Sequence, residues 1–118
     1  MDLFEELRRV LDRKKELESR LDQILEEMKK LKPEHGTLEF KWVKNKAGRR
    51  YYYWYLRVWE DGRLKSIYLG SSVPSELIRG IEDRKKLREL KRELELVTKE
   101  LRKIQNAIYS ISNILSSL

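Results

Sequence analysis

The sequence predicts an α+β fold: an antiparallel helical coiled-coil hairpin with a three-stranded antiparallel β-meander inserted between its helices. Three observations predict it. Apolar residues near both ends recur at alternating threes and fours, the period of a helical seam. Between residues 37 and 70 the period drops to two and the composition turns aromatic and β-branched, as in strands. Pro33, Gly36, Gly70 and Pro74 stand at the junctions between these stretches. At 118 residues the chain has room for one domain, 1–118, with a helix over 1–32, a meander over 37–70 and a helix over 75–117.

The first helix carries Leu3, Leu7, Val10, Leu17, Leu21, Ile24, Met28 and Leu31 on one seam, with Lys14 alone in a core slot. Asp2 and Glu5 at its start and Lys29, Lys30 and Lys32 at its end oppose the helix dipole. Pro33 and Gly36 stop it. At about 43 Å it is expected to be nearly as long as its partner.

The second helix begins near Val73-Pro74-Ser75-Glu76, with Ser72 or Ser75 as the expected N-cap. Gly80 is a weak spot early in it. From there Leu87, Leu90, Leu94, Val97, Leu101, Ile104, Ile108, Ile111, Leu115 and Leu118 continue one seam. No charged side chain follows Lys103. Ile108, Ile111, Ile114 and Leu115, which together with Ile104 line this end, cannot all face one partner helix. They are therefore expected to form an oligomer interface, giving a homodimer or a larger assembly, because two isolated helices bury little.

In the middle, Thr37–Lys44 alternates Leu38, Phe40 and Trp42 against Glu39 and Lys41. Asn45-Lys46-Ala47-Gly48 is a turn cluster, Arg50–Glu60 is rich in β-formers, and Arg63–Leu69 is the third strand. Asp61-Gly62 between the last two is a hairpin turn whose central residues both need positive φ. That turn sets Trp59 against Leu64, Arg57 against Ser66 and Tyr55 against Tyr68. One face then holds these residues with Tyr51 and Tyr53. The other holds Tyr52, Trp54, Leu56, Val58, Ile67 and Leu69, with Arg63 and Lys65 at the tip. The more apolar second face is the better one for packing. The first strand has two possible registers. Connections of four and five residues place Leu38, Phe40 and Trp42 on opposite faces.

Hydrophobic and charged residues each make up 40% of the chain, where about a quarter charged is usual. Abundant Lys, Arg and Glu without Cys is also a hyperthermophile's composition. The absence of Cys excludes disulfides and thiolate metal sites, and the single histidine, His35, argues against zinc sites and imidazole bases. Glycine-rich phosphate loops are absent, and Glu60 and Asp61 sit at a turn where Asp serves the backbone. No enzyme, metal, cofactor or small-molecule substrate is expected. No apolar run reaches the roughly 20 residues of a membrane span, and the charged start is unlike a secretory signal, so a cytoplasmic protein is expected.

The net charge of +7 is unevenly spread. Residues 1–36 carry net −1, residues 37–75 carry net +5 and residues 76–118 carry net +3. A basic segment on an otherwise balanced chain is an electrostatic footprint for a polyanion. Three-stranded sheets enter the DNA major groove with polar side chains toward base edges and cations on phosphates. Tyrosine and arginine also suit stacking on bases. The candidate nucleic-acid-binding residues are Lys41, Lys44, Lys46, Arg49, Arg50, Tyr51, Tyr53, Arg57, Arg63 and Lys65. Double-stranded DNA is the expected partner. The structural reading of the same residues is a set of cross-strand pairs and edge guards, with the sheet mediating protein assembly.

The helix–hairpin–helix layout over the whole chain resembles the prefoldin β-type subunit, which implies a holdase that suppresses client aggregation. Residues 51–70, YYYWYLRVWEDGRLKSIYLG, are similar to a strand pair in uncharacterised small proteins of archaea and their viruses and plasmids. That resemblance implies DNA binding, which is also presumed of the three-stranded arm domains of mobile-element recombinases.

Overall fold

The computed structural model describes residues 2–118. Five elements follow in chain order: α1 (Leu3–Lys30), β1 (Thr37–Lys44), β2 (Arg50–Glu60), β3 (Arg63–Gly70) and α2 (Ser75–Ser116). Two helices thus flank a three-stranded antiparallel sheet of order β1-β2-β3, the α+β arrangement expected. The chain forms two compact units. One joins residues up to Lys30 with Arg88–Leu118, and the other is Leu31–Leu87.

In the helical unit, α1 starts at an Asp2 cap. The Phe4 N–H donates to Asp2 Oδ1 at 2.9 Å and the Glu6 N–H to the Asp2 carbonyl at 3.1 Å. Glu5 and Glu6 in the first turn and Lys29 and Lys30 in the last complement the dipole. The helix ends two residues earlier than expected, since Pro33 disfavours the helical conformation at Lys32. Leu17 and Ile24 of α1 are buried, as are Leu90, Val97 and Ile111 of α2. Most of the remaining seam residues are half-buried, but Leu118 is 92% exposed. Lys14 lies half-buried in its core slot and pairs with Glu18 at 3.5 Å.

Two ion pairs give the direction of the helices. Arg13 meets Glu100 at 3.0 Å, and Arg20 meets Glu93 through two bonds of 2.6 Å. One heptad forward on α1 is one heptad back on α2, so they run antiparallel. The helices are far from equal in length. α2 has 42 residues against 28 in α1, a difference of about 20 Å at 1.5 Å per residue. Part of the excess, up to Leu87, belongs to the sheet unit. Continuing the ion-pair register sets Leu3 opposite Ser110, so the uncharged end of α2 runs on past the start of α1.

In the sheet unit, α2 begins on a backbone cap. The Pro74 carbonyl accepts from the Leu77 and Ile78 N–H groups at 3.1 and 3.2 Å. The capping position is therefore Pro74 rather than Ser72 or Ser75, and Ser75 is the first helical residue. The connection before β1 is tied to this helix. The Lys32 N–H donates to Asp83 Oδ2 at 3.1 Å and the Glu34 N–H to the Gly80 carbonyl at 2.9 Å.

Asp61 and Gly62 have φ of 52° and 74°, the paired positive values of the expected hairpin turn. Trp59 lies opposite Leu64, Arg57 opposite Ser66 and Tyr55 opposite Tyr68, as expected. Beyond that point the register shifts and Gly70 faces Trp54, so Leu69 is the extra residue of a bulge and leaves the alternation expected of it. β1 pairs with β2 from Thr37–Arg57 to Lys44–Arg50, leaving five residues, 45–49, in the connection. Leu38, Phe40 and Trp42 therefore stand opposite Leu56, Trp54 and Tyr52.

Candidate nucleic-acid interface

Alternation along each strand and these registers sort the side chains. The first face carries Glu39, Lys41 and Val43 of β1, then Tyr51, Tyr53, Tyr55, Arg57 and Trp59 of β2, then Leu64, Ser66 and Tyr68 of β3. Its tyrosines are coupled ring to ring. Tyr51 and Tyr53 stack at 6.4 Å, and Tyr68 meets Tyr53 and Tyr55 edge-on at 5.5 and 5.6 Å. Lys41 Nζ lies 4.3 Å from the Tyr55 ring centroid. Arg57 Nε lies 3.3 Å from Glu39 Oε2 across the strand pair. These packed rings hold one another in place and keep part of their surface exposed. Tyr51 is 40% exposed, Tyr68 59% and Trp59 75%.

The opposite face is apolar and only partly covered. Leu56 is buried there under Gly36, with Trp54 and Val58 half-buried. Phe40 stacks on Tyr52 at 5.4 Å and meets Trp54 at 4.8 Å. Phe40, Trp42, Tyr52 and Ile67 nonetheless remain exposed. Arg50 and Lys44 lie 4.5 and 5.9 Å from the Trp42 ring centroid. Lys65 pairs with Glu60 at 3.3 Å.

The ten residues expected to contact nucleic acid are thereby divided. Lys41, Tyr51, Tyr53 and Arg57 share the tyrosine face. Lys44, Arg50, Arg63 and Lys65 fall on the opposite one. Lys46 and Arg49 lie in the connection, where Asn45 shapes the backbone: its Oδ1 accepts from the Arg49 N–H at 3.0 Å and its carbonyl from the Gly48 N–H at 3.0 Å. Lys44 and Arg50 close the strand pair, and a closing pair shares the face of its second neighbours, here Trp42 and Tyr52. Tyr55, Trp59 and Tyr68 join the tyrosine face without having been among the ten. The Asp61-Gly62 register carried the signal for all three. Arg84 of α2 lines a hollow together with Arg57 and Trp59 of this face; the sequence shows it only as part of the basic run Arg84-Lys85-Lys86 after the meander.

Among the expected oligomer residues, Ile111 is buried within the chain, Ile104, Ile108 and Leu115 are half-buried, and Ile114 is 48% exposed. Among the described residues no group of three or more His, Cys, Asp or Glu could hold a metal ion. No helix there is long and apolar enough to cross a membrane.

The family model described as Domain of unknown function (DUF6788) matches residues 4–79, from the first turn of α1 through the sheet into α2. No curated protein and no solved structure matches the chain.

Proposed function

The chain belongs to the DUF6788 family, and we propose that it is a small non-enzymatic nucleic-acid-binding protein. The observation that carries the reading is the tyrosine face, where exposed rings lie beside Lys41 and Arg57 in the most basic segment of the chain. Rings offer stacking surface, and the cations offer charge to phosphates. Double-stranded DNA is the leading ligand. At about 4.8 Å spacing the outer strand axes stand about 10 Å apart, so two of the three strands fit within a major groove about 12 Å wide. Lys46 and Arg49, in the connection at the end of this face, would grip the flanking phosphates.

The test is fluorescence anisotropy of a labelled duplex at several salt concentrations. Log affinity is expected to fall with log salt by about 0.9 per neutralised phosphate. The combined changes Lys41→Glu, Lys46→Glu and Arg49→Glu should weaken binding and flatten that slope. An unchanged slope would remove these residues from the interface, and no binding of the duplex at low salt would end the double-stranded reading.

A second reading rests on the exposed Phe40, Trp42, Tyr52 and Ile67 of the opposite face. There the sheet assembles with other copies, and the charge keeps the chain soluble. Trp42→Ser with Phe40→Ser should then turn an assembly into a monomer in sedimentation. A wild-type monomer at micromolar concentration would exclude it.

A further inference from the structure

At the turn end of the tyrosine face lies a pocket of about 350 Å³ lined by His35, Gly36, Thr37, Arg57, Trp59 and Arg84. Its walls come from three elements and the connection before β1, so side chains far apart in sequence converge on it. A second hollow of about 300 Å³ shares Thr37, Arg57 and Trp59 and reaches Leu64, which makes the pocket continuous with the tyrosine face. These volumes lie at the small end of ligand sites, about 300–1,000 Å³.

The chemistry of the walls is that of an anion site. Arg84 has its Nε buried with no hydrogen-bond partner among the described residues. A guanidinium N–H withdrawn from water and left unpaired is costly, and an oxyanion would reach it only with the Arg84 side chain turned toward the pocket. Arg57 spends Nε on Glu39 at 3.3 Å, which leaves its terminal nitrogens to form charge-assisted bonds with a ligand. The neighbouring carboxylate of Asp83 already accepts from the Lys32 N–H. Trp59, 75% exposed, offers a flat ring at the pocket's edge.

Guanidinium groups beside an open indole match the phosphate and the base that a single nucleotide presents. We infer that this pocket is a subsite for one backbone phosphate of a nucleic-acid strand, held by Arg84 and Arg57, whose unpaired base stacks on Trp59. The inference rests on the nucleic-acid reading and adds to it a preference for strands with an unstacked base, at an end or in a single-stranded stretch.

The experiment uses the full chain and a fluorescein-labelled dT12 strand, alone and paired with dA12, followed by anisotropy. Arg84→Met keeps the stem and removes the charge, and Trp59→Leu removes the ring. Lys86→Met, an exposed lysine on the same helix but outside the pocket, controls for general loss of charge. The expected result is a roughly tenfold weaker dT12 complex for each pocket variant, little change for Lys86→Met, and a smaller loss on the duplex. Wild-type protein gives an independent readout: the Arg84 Nε–Hε nitrogen–proton resonance should shift on adding dT12 and stay put with inorganic phosphate at equal phosphate concentration. If wild-type protein binds dT12 and both pocket variants bind it equally well, the subsite is wrong and the broader function stands. If neither strand nor duplex binds, the broader function falls as well. A shift with inorganic phosphate alone would make the pocket a general anion site and overturn the inference.

Discussion

A methyl group added at Gly80 would collide with the Glu34 side chain and lie 3.3 Å from the Glu34 backbone nitrogen. The sequence shows only a glycine in a helical pattern, which reads as a defect of about 1 kcal/mol relative to alanine. The structure gives it a use, because the missing side chain lets the Glu34 N–H reach the Gly80 carbonyl at 2.9 Å. Gly36 serves a similar close approach, over Leu56. Its Cβ would stand 2.7 Å from Leu56 Cδ1 and 2.8 Å from Val58 Cγ1, and its φ of 122° disfavours a side chain in any case. Gly36→Ala should therefore destabilise the chain by about 1–3 kcal/mol. Gly80→Ala should also destabilise, because its gain in helix propensity is smaller than the cost of displacing Glu34. Urea denaturation midpoints check both. An unchanged midpoint for Gly36→Ala would mean that the connection does not rest on Leu56.

At the scale of elements, the helical unit depends on a few positions of its seam. Ile24 is fully buried, whereas Leu96 on α2 is 64% exposed. Ile24→Ala should cost about 2–5 kcal/mol, and Leu96→Ala should stay within about 0.5 kcal/mol, by chemical denaturation. The Arg20–Glu93 pair adds a pH dependence. Hydrogen bonding from Arg20, aided by its charge, holds the Glu93 carboxyl below its ordinary value against a smaller opposing push from desolvation. A folded-state value below the unfolded one stabilises at pH above the ordinary carboxylate range, about 4.3. That stabilisation is lost as pH falls through the lowered folded value, while Arg20 stays charged. Glu93→Gln should therefore melt below wild type at pH 7, and the gap should close under acid. A gap that persists at pH 2 would assign the effect to packing. Ile24 was legible because a seven-residue seam constrains every side chain on it, whereas the Arg20–Glu93 pair lies off the seam and was not. The β2–β3 register was equally legible from the Asp61-Gly62 turn as far as Tyr55–Tyr68, since that turn admits one pairing, but the bulge at Leu69 beyond it was not. The β1 register was not, because Asn45–Arg49 closes as readily over four residues as over five until the whole sheet is built. The unequal helix lengths were hidden for a related reason. Periodicity gives the extent of α2 but not which of its turns belong with the sheet.

Over the whole molecule, burial is concentrated away from the candidate site. Leu17, Ile24, Leu90, Val97 and Ile111 lie in the helical unit, while Leu56 is the one buried apolar side chain described in the sheet unit. A sheet with so small a core opens more readily than paired helices. Hydrogen exchange should therefore show amides near Leu17, Ile24 and Val97 exchanging slowest, and those of β1 and β3 fastest among the regular elements. On the proposed function, saturating nucleic acid would bind only the folded sheet, so it should slow exchange there by linkage and leave the helical amides nearly unchanged. The location of that protection separates the two functions. Slowing that depends on nucleic acid, at constant protein concentration, belongs to binding on the tyrosine face. Slowing that rises with protein concentration and ignores nucleic acid belongs to assembly through Phe40, Trp42 and Tyr52. Sheet amides that exchange as slowly as the helical ones in the free protein would contradict the premise that this unit is the weaker of the two.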